Sequence, residues 1–247
     1  MVRRSFTAVR ALPGFADTLR ALDAHPGPAI VCMTHTAWWD PILTLILQRA
    51  LLPSRTFVGP MDRAQLEKFA FFRKIGVFGV DPDNPASLDA MGAYLAEHFR
   101  TAPRAGVWIT PQGRFADVRT PIVIRPGVSA LCAHTPGARV VAIAVEYGFW
   151  FDQHPEVFVA AHPVEPAGTS TTDWHRAITA AMTRAAAELA SAVQSRDPSR
   201  FVPVVAQREG RIHPVYNVWL RLRGRSASVR DARHAAPRGA TPTGSVR

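Results

Sequence analysis

Short apolar runs alternate with helix-patterned segments along most of this chain, and that alternation limits the folds open to it more than any other feature. Ala29–Thr34 reads as a buried strand, and Thr56–Gly59, Gly76–Val80, Gly106–Thr110, Val140–Val145 and Glu156–Ala161 are further strand candidates. Between them, Asp40-Pro41 opens a helix, because Asp suits the N-cap and Pro the first helical position. Asp62–Lys74 carries a helical pattern with Leu66, Phe69 and Phe72. Asn84-Pro85 starts another, with Leu88, Met91, Leu95 and Phe99 at helical spacing, and Asp173 caps a long Ala-rich helix that ends before Pro198. Strands and helices in this order predict an α/β fold: a single domain with a mostly parallel central sheet flanked by helices. A chain of 247 residues fits one such domain, expected over residues 1–222. Residues 223–247 are rich in Arg, Ala, Ser, Gly and Pro and are expected to form a basic, disordered tail.

Charge bears on partners. The chain carries a net +10, and from Arg208 onward nine Arg face only Glu209 and Asp231, so +7 of it lies in that last stretch. Basic tails attract anionic partners. No RNP-like, helix-turn-helix or zinc signature accompanies this one, so nucleic acid is not expected among them. Cys32 and Cys132 lie in apolar runs without metal-ligand spacing, which predicts buried free thiols and no metal site. Met1-Val2-Arg3-Arg4-Ser5-Phe6 has no apolar stretch behind its charges, and no window reaches the ~18 apolar residues of a spanning helix. Two segments combine an apolar and a basic helical face: Phe6, Val9 and Leu12 beside Arg3, Arg4 and Arg10, and Val215, Val218, Trp219 and Leu222 beside Arg221, Arg223 and Arg225. Each fits an interfacial helix on a membrane or a segment docked on the domain.

The chemistry concentrates in His35-Thr36-Ala37-Trp38-Trp39-Asp40. His35 follows a strand and Asp40 begins a helix, and the carboxyl ends of parallel strands are where α/β sheets bind ligands. A turn between them lets Asp40 accept a hydrogen bond from one imidazole nitrogen, which fixes the tautomer and leaves the other nitrogen basic. A structural histidine and a plain helix cap explain the same residues one at a time, and HxxxxD alone is a weak pattern. A second stretch, Pro111-Gln112-Gly113-Arg114, follows the strand Gly106–Thr110. Pro and Gly shape a tight loop there, Gly lets a ligand approach the backbone, and Arg114 can grip a phosphate or carboxylate with two hydrogen bonds.

Taken together these stretches resemble the lysophospholipid (glycerolipid-type) acyltransferase family. His35 and Asp40 match its HxxxxD motif, and Pro111-Gln112-Gly113-Arg114 matches its Pro-Glu-Gly loop. Phe72–Val80 resembles its Gly-containing second motif and Val140–Val145 its apolar fourth motif, in order across residues 15–195. The resemblance implies that His35 is the general base and Asp40 its partner, with Pro111, Gln112, Gly113 and Arg114 contributing to substrate binding. It implies a fatty-acyl group moved from acyl-CoA or acyl-carrier protein, as co-substrate, to a hydroxyl of a lysophospholipid, a glycerol-phosphate or another lipid-like acceptor. It implies no further cofactor, no metal and no acyl-enzyme, and the chain has no GxSxG elbow. The expected setting is cytoplasmic, peripheral on the inner face of the cell membrane.

Three departures from the family pattern bear on the acceptor. Gln112 stands where the family has Glu. Asp81 is followed by Pro82 where an Arg is usual, which leaves Arg73 and Lys74 as candidate phosphate-holding cations. The fourth motif lacks its Pro. Two other readings of the same residues remain: a catalytically weak lipid-binding relative, and a thioester hydrolase with water as acceptor.

Overall fold

The computed structural model describes residues 6, 8–102, 104–150, 154–205 and 222–223. Among them is a single α/β domain built on one eight-stranded sheet. In chain order the elements are β1 (Val9–Ala11), α1 (Phe15–Ala24), β2 (Ala29–Met33), α2 (Asp40–Leu51), β3 (Thr56–Asp62), α3 (Arg63–Lys68), a 3₁₀ segment (Ala70–Ile75) and β4 (Val77–Val80). They continue with α4 (Pro85–Thr101), β5 (Ala105–Ile109), α5 (Gly127–Ala133), β6 (Arg139–Gly148), β7 (Glu156–Pro163), α6 (Thr171–Ser195) and β8 (Val202–Val205). The strand order is β4-β3-β5-β2-β6-β7-β1-β8. Five pairings are parallel; β6–β7 and β1–β8 are antiparallel.

The period-2 alternation of the strands sorts their side chains into two cores. Val31, Met33, Val141, Ile143 and Val145 face α1 and α2, burying Leu19, Leu22, Leu43 and Leu47. Ile30, Cys32, Val107, Val140 and Ala142 face the other way, against Leu95 of α4, Cys132 of α5, and Ile178 and Met182 of α6. Both cysteines are buried and free. Burial in this apolar core raises both thiol pKa values, that of Cys132 to about 12.

The structure moves several expected elements. Val9–Ala11 is a strand between β7 and β8, not one face of a helix, and Phe6 is buried. Arg10 of that strand pairs with Glu156 at 2.6 Å in the interior, a long-range tie that helical spacing does not reveal. Asp62–Lys74 is not one helix: α3 ends at Lys68 and Ala70–Ile75 follows as a 3₁₀ segment closed by Gly76 at φ 87°. Asp173 is the third residue of α6 and Ser170 the N-cap, the two side chains forming a reciprocal capping box. Arg3, Arg4, Val215, Val218, Trp219 and the tail beyond Arg223 lie outside the described residues. No helix among the described residues is long and apolar enough to cross a membrane.

Candidate active site

Strands β2, β5 and β6 run parallel, so their carboxyl ends share one edge of the sheet. At that edge β2 continues past Met33. Thr34 donates its N–H to Ile143 O at 3.0 Å, and its hydroxyl accepts from Val145 N–H at 2.9 Å. The chain then leaves the sheet at His35 and turns into α2.

Asp40 does not cap α2. Trp39 occupies the cap position without a side-chain bond, and Asp40 is the first helical residue. Its carboxylate reaches back over the turn. Oδ2 accepts from Thr36 N–H at 2.9 Å, from Ala37 N–H at 3.2 Å and from His35 Nδ1 at 2.8 Å. The carboxylate competes for the turn amides ahead of the helix, which is why the cap role passes to its neighbour. Since a carboxylate only accepts, Nδ1 carries a proton, and in the neutral imidazole Nε2 is the nitrogen that keeps its lone pair. The Asp40 side chain is 1% exposed and that of His35 21%, so the buried member orients the one that still meets solvent.

The segment between β5 and α5 closes over His35. Gln112 Oε1 accepts from His35 N–H at 2.9 Å, and Ala116 N–H donates to His35 O at 2.8 Å. Phe115 lays its ring against the imidazole, centroids 4.1 Å apart, while remaining 57% exposed. The segment is itself fastened: Arg125 N–H donates to Pro111 O at 2.8 Å, and the Arg125 guanidinium reaches Pro82 O and Asp83 Oδ1, both at 3.2 Å. Gly113 makes the tight turn at φ 66°, where a Cβ would lie 2.8 Å from Arg125 Nε.

Among the residues expected at the site, His35, Asp40, Pro111, Gln112 and Gly113 are therefore gathered by direct hydrogen bonds and one turn. Gln112 spends its carbonyl oxygen on the His35 backbone. Arg114 is exposed on the same loop, and Arg73 and Lys74 are exposed on the 3₁₀ segment. That segment adjoins the His35 turn through Trp38, whose ring meets Phe69 at 6.3 Å and Phe72 at 6.1 Å. The side chains of these three cations make no hydrogen bond or ion pair with other described residues.

Sequence reasoning missed Tyr147, at the end of β6. Its hydroxyl donates to Asp40 Oδ1 at 2.8 Å. Burial first, then the Asp40 charge and hydrogen bond, raise the phenol pKa well above its ordinary value. Counting by twos along β6 from Val141, Ile143 and Val145 puts Tyr147 on the α2 face, and that was the available signal. Its neighbour Glu146 points to the opposite face, where burial raises its carboxyl pKa, Arg119 opposes the shift and Asp117 adds to it.

One enclosed space adjoins the turn without touching His35 or Asp40. A cavity of about 20 Å³, lined by Thr36, Gln112, Ala116 and Glu146 among others, has room for about one water. A larger open cleft of about 760 Å³ lies at the opposite edge of the sheet, lined by Asp17, His25, Arg139 and Trp174 among others. Two of its polar groups are engaged: His25 Nε2 bonds to Gly137 O and Arg139 to Ala21 O. The imidazole, by contrast, is bordered by exposed aromatic surface from Phe115, with Trp38 and Phe71 nearby on the adjoining turn and 3₁₀ segment. No group of His, Cys, Asp and Glu able to hold a metal ion occurs among the described residues. In comparison with known proteins, no family matches the chain and no curated relative is found.

Proposed function

We propose that this protein is an acyltransferase of the HxxxxD type, moving a fatty-acyl group from a thioester, acyl-CoA or acyl-carrier protein, to a hydroxyl of a lipid-like acceptor. The observation that carries this reading is the 2.8 Å bond from His35 Nδ1 to buried Asp40, which leaves Nε2 as the unprotonated nitrogen at the carboxyl edge of the sheet. A neutral imidazole held in this way is a general base, worth ~10²–10⁴ in rate.

In the proposed reaction the acceptor hydroxyl gives its proton to His35 Nε2 as its oxygen attacks the thioester carbonyl. The C–O bond forms, the C–S bond breaks, and the thiolate leaves and takes the proton from the imidazolium. Asp40 stabilises that imidazolium. The Gly113 N–H is spent on Thr110 O at 3.0 Å, so the N–H groups of Arg114 and Phe115 are the ones this turn offers to the developing oxyanion. Arg114, Arg73 and Lys74, without partners among the described residues, are the cations offered to an anionic headgroup or to the carrier's phosphate. The exposed rings of Trp38, Phe71 and Phe115 suit an acceptor presented at a membrane surface, and the proposed setting is cytoplasmic, on the inner face of the cell membrane.

A second reading, a catalytically weak lipid-binding relative, is favoured by Phe115 lying against the imidazole. Thioester consumption by the purified chain, with acyl-CoA and a lysophospholipid, separates the two. Loss of activity in His35→Ala is the expected result. Equal rates in both proteins sink the enzyme reading, and free fatty acid appearing at one rate whatever alcohol is supplied points to hydrolysis instead.

A further inference from the structure

Asp40 has two carboxylate oxygens with very different surroundings. Oδ2 is shared among the imidazole and two turn amides, all contributed by residues 35–37 of the same turn. Oδ1 has one donor among the described residues, the hydroxyl of Tyr147, which comes from β6 across the sheet edge. The side chain is 1% exposed, so water does not compete for that oxygen. We propose that Tyr147 is a positioning residue for the His35–Asp40 pair: its one hydrogen bond fixes the rotation of the carboxylate and so the aim of the imidazole.

Rotation about the bond to a carboxylate is soft, with a broad, roughly two-fold profile. The bonds to Oδ2 all lie at one end of the group, so they allow it to rock about that oxygen. A donor at the other end removes this freedom. Tyr147 is well placed to do so because it is itself held. It sits in register opposite Val157 in the β6–β7 pairing, and its ring packs 5.8 Å from that of buried Phe6. Burial and the nearby carboxylate keep its phenol protonated, so it remains a donor. The imidazole is thereby referenced to three strands: β2 through the chain itself, β5 through Gln112, and β6 through Tyr147 and Asp40.

The rate arm of the test rests on the general-base reading of His35; the spectroscopic arm does not. The variant is Tyr147→Phe in the full chain. With imidazole nitrogens labelled, ¹⁵N shifts show which ring nitrogen of His35 bears the proton, the signal being assigned by its absence in His35→Ala. The wild-type ring is expected in the Nδ1–H form, and Tyr147→Phe is expected to give a mixture of the two tautomers. The same change is expected to lower kcat about tenfold with KM within about twofold. Ile178→Val, which trims the core on the other face of the sheet, is expected to lower thermal stability and leave the tautomer and kcat unchanged. A folded Tyr147→Phe with the wild-type tautomer and kcat overturns the proposal. If the wild type transfers no acyl group, the tautomer alone decides. If Tyr147→Phe does not fold, fluorotyrosine in the three tyrosines of the intact chain replaces it. Asp40→Asn must then move the Tyr147 fluorine resonance, and an unmoved resonance overturns the proposal.

Discussion

Replacing Asp40 by Asn and by Ala separates its two roles. Thr36 and Ala37 present backbone N–H groups to Oδ2 at 2.9 and 3.2 Å, and these can only donate. In Asp40→Asn the amide oxygen must therefore take the Oδ2 place, where it still accepts from His35 Nδ1. The amide NH₂ falls at the Oδ1 place, facing a Tyr147 hydroxyl that can rotate to accept. Fold and tautomer survive, and the stability cost stays below about 1 kcal/mol. What is lost is the negative charge beside the imidazolium that forms in the proposed proton transfer. Two unit charges about 4 Å apart at an effective dielectric of about 20 attract by about 4 kcal/mol. Discounting for the 21% exposure of His35 leaves about 3 kcal/mol, or roughly a hundredfold in kcat. Asp40→Ala instead strips the acceptor from four donors. At about 1 kcal/mol each this is about 4 kcal/mol, a fall of about 10 °C in Tm for a chain of this length. Urea unfolding and steady-state thioester turnover measure the two quantities. If Asn destabilises as much as Ala, or if Asn retains wild-type kcat, the reasoning fails.

Gly113→Ala is expected to cost about 1–2 kcal/mol, mostly from the φ of 66° because Arg125 can swing aside, and to reduce kcat by displacing the loop that holds His35; unchanged unfolding midpoints refute it. Arg55 is 3% exposed and donates to the carbonyls of Leu22, Gly27 and His25, so Arg55→Met should cost about 3 kcal/mol in chemical denaturation, and a loss under about 1 kcal/mol contradicts the assignment. The carboxyl of Glu146 has a pKa raised by burial, so the stability it contributes is full below the ordinary glutamate range and is lost as pH rises through the raised value. Glu146→Gln should therefore raise the urea midpoint at neutral pH and leave it unchanged near pH 3. Binding to vesicles containing anionic lipid should weaken about tenfold in Trp38→Ala/Phe71→Ala, measured by sedimentation, and equal binding places the contact elsewhere on the protein.

The parallel core of the fold was legible because each of its strands is an apolar run bounded by a turn signal, and Asn84-Pro85 is a local helix start that the structure keeps, with Asn84 accepting from Ala86 N–H. What was illegible is held by partners distant in sequence. Val9–Ala11 is too short to show a period of its own; it is a strand because β7 and β8 flank it and because buried Glu156 receives Arg10. Glu156–Ala161 reads as a strand, but its antiparallel direction depends on the connection from β6, and no residue pattern encodes that.

The site divides in the same way. His35 and Asp40 are separated by one turn, so a local motif could announce their contact, and the geometry joins them directly. Tyr147 reaches the same carboxylate from far along the chain, and only the sheet register brings it there. Gln112 stands between these cases. Its motif placed it at the site as a substrate contact, yet its carbonyl oxygen is committed to the His35 N–H. A glutamate at that position could accept the same bond, and a neutral amide supplies it without adding a second negative charge near the imidazole. At this one departure from the pattern the chain resembles, the side chain has a task that either residue type can perform.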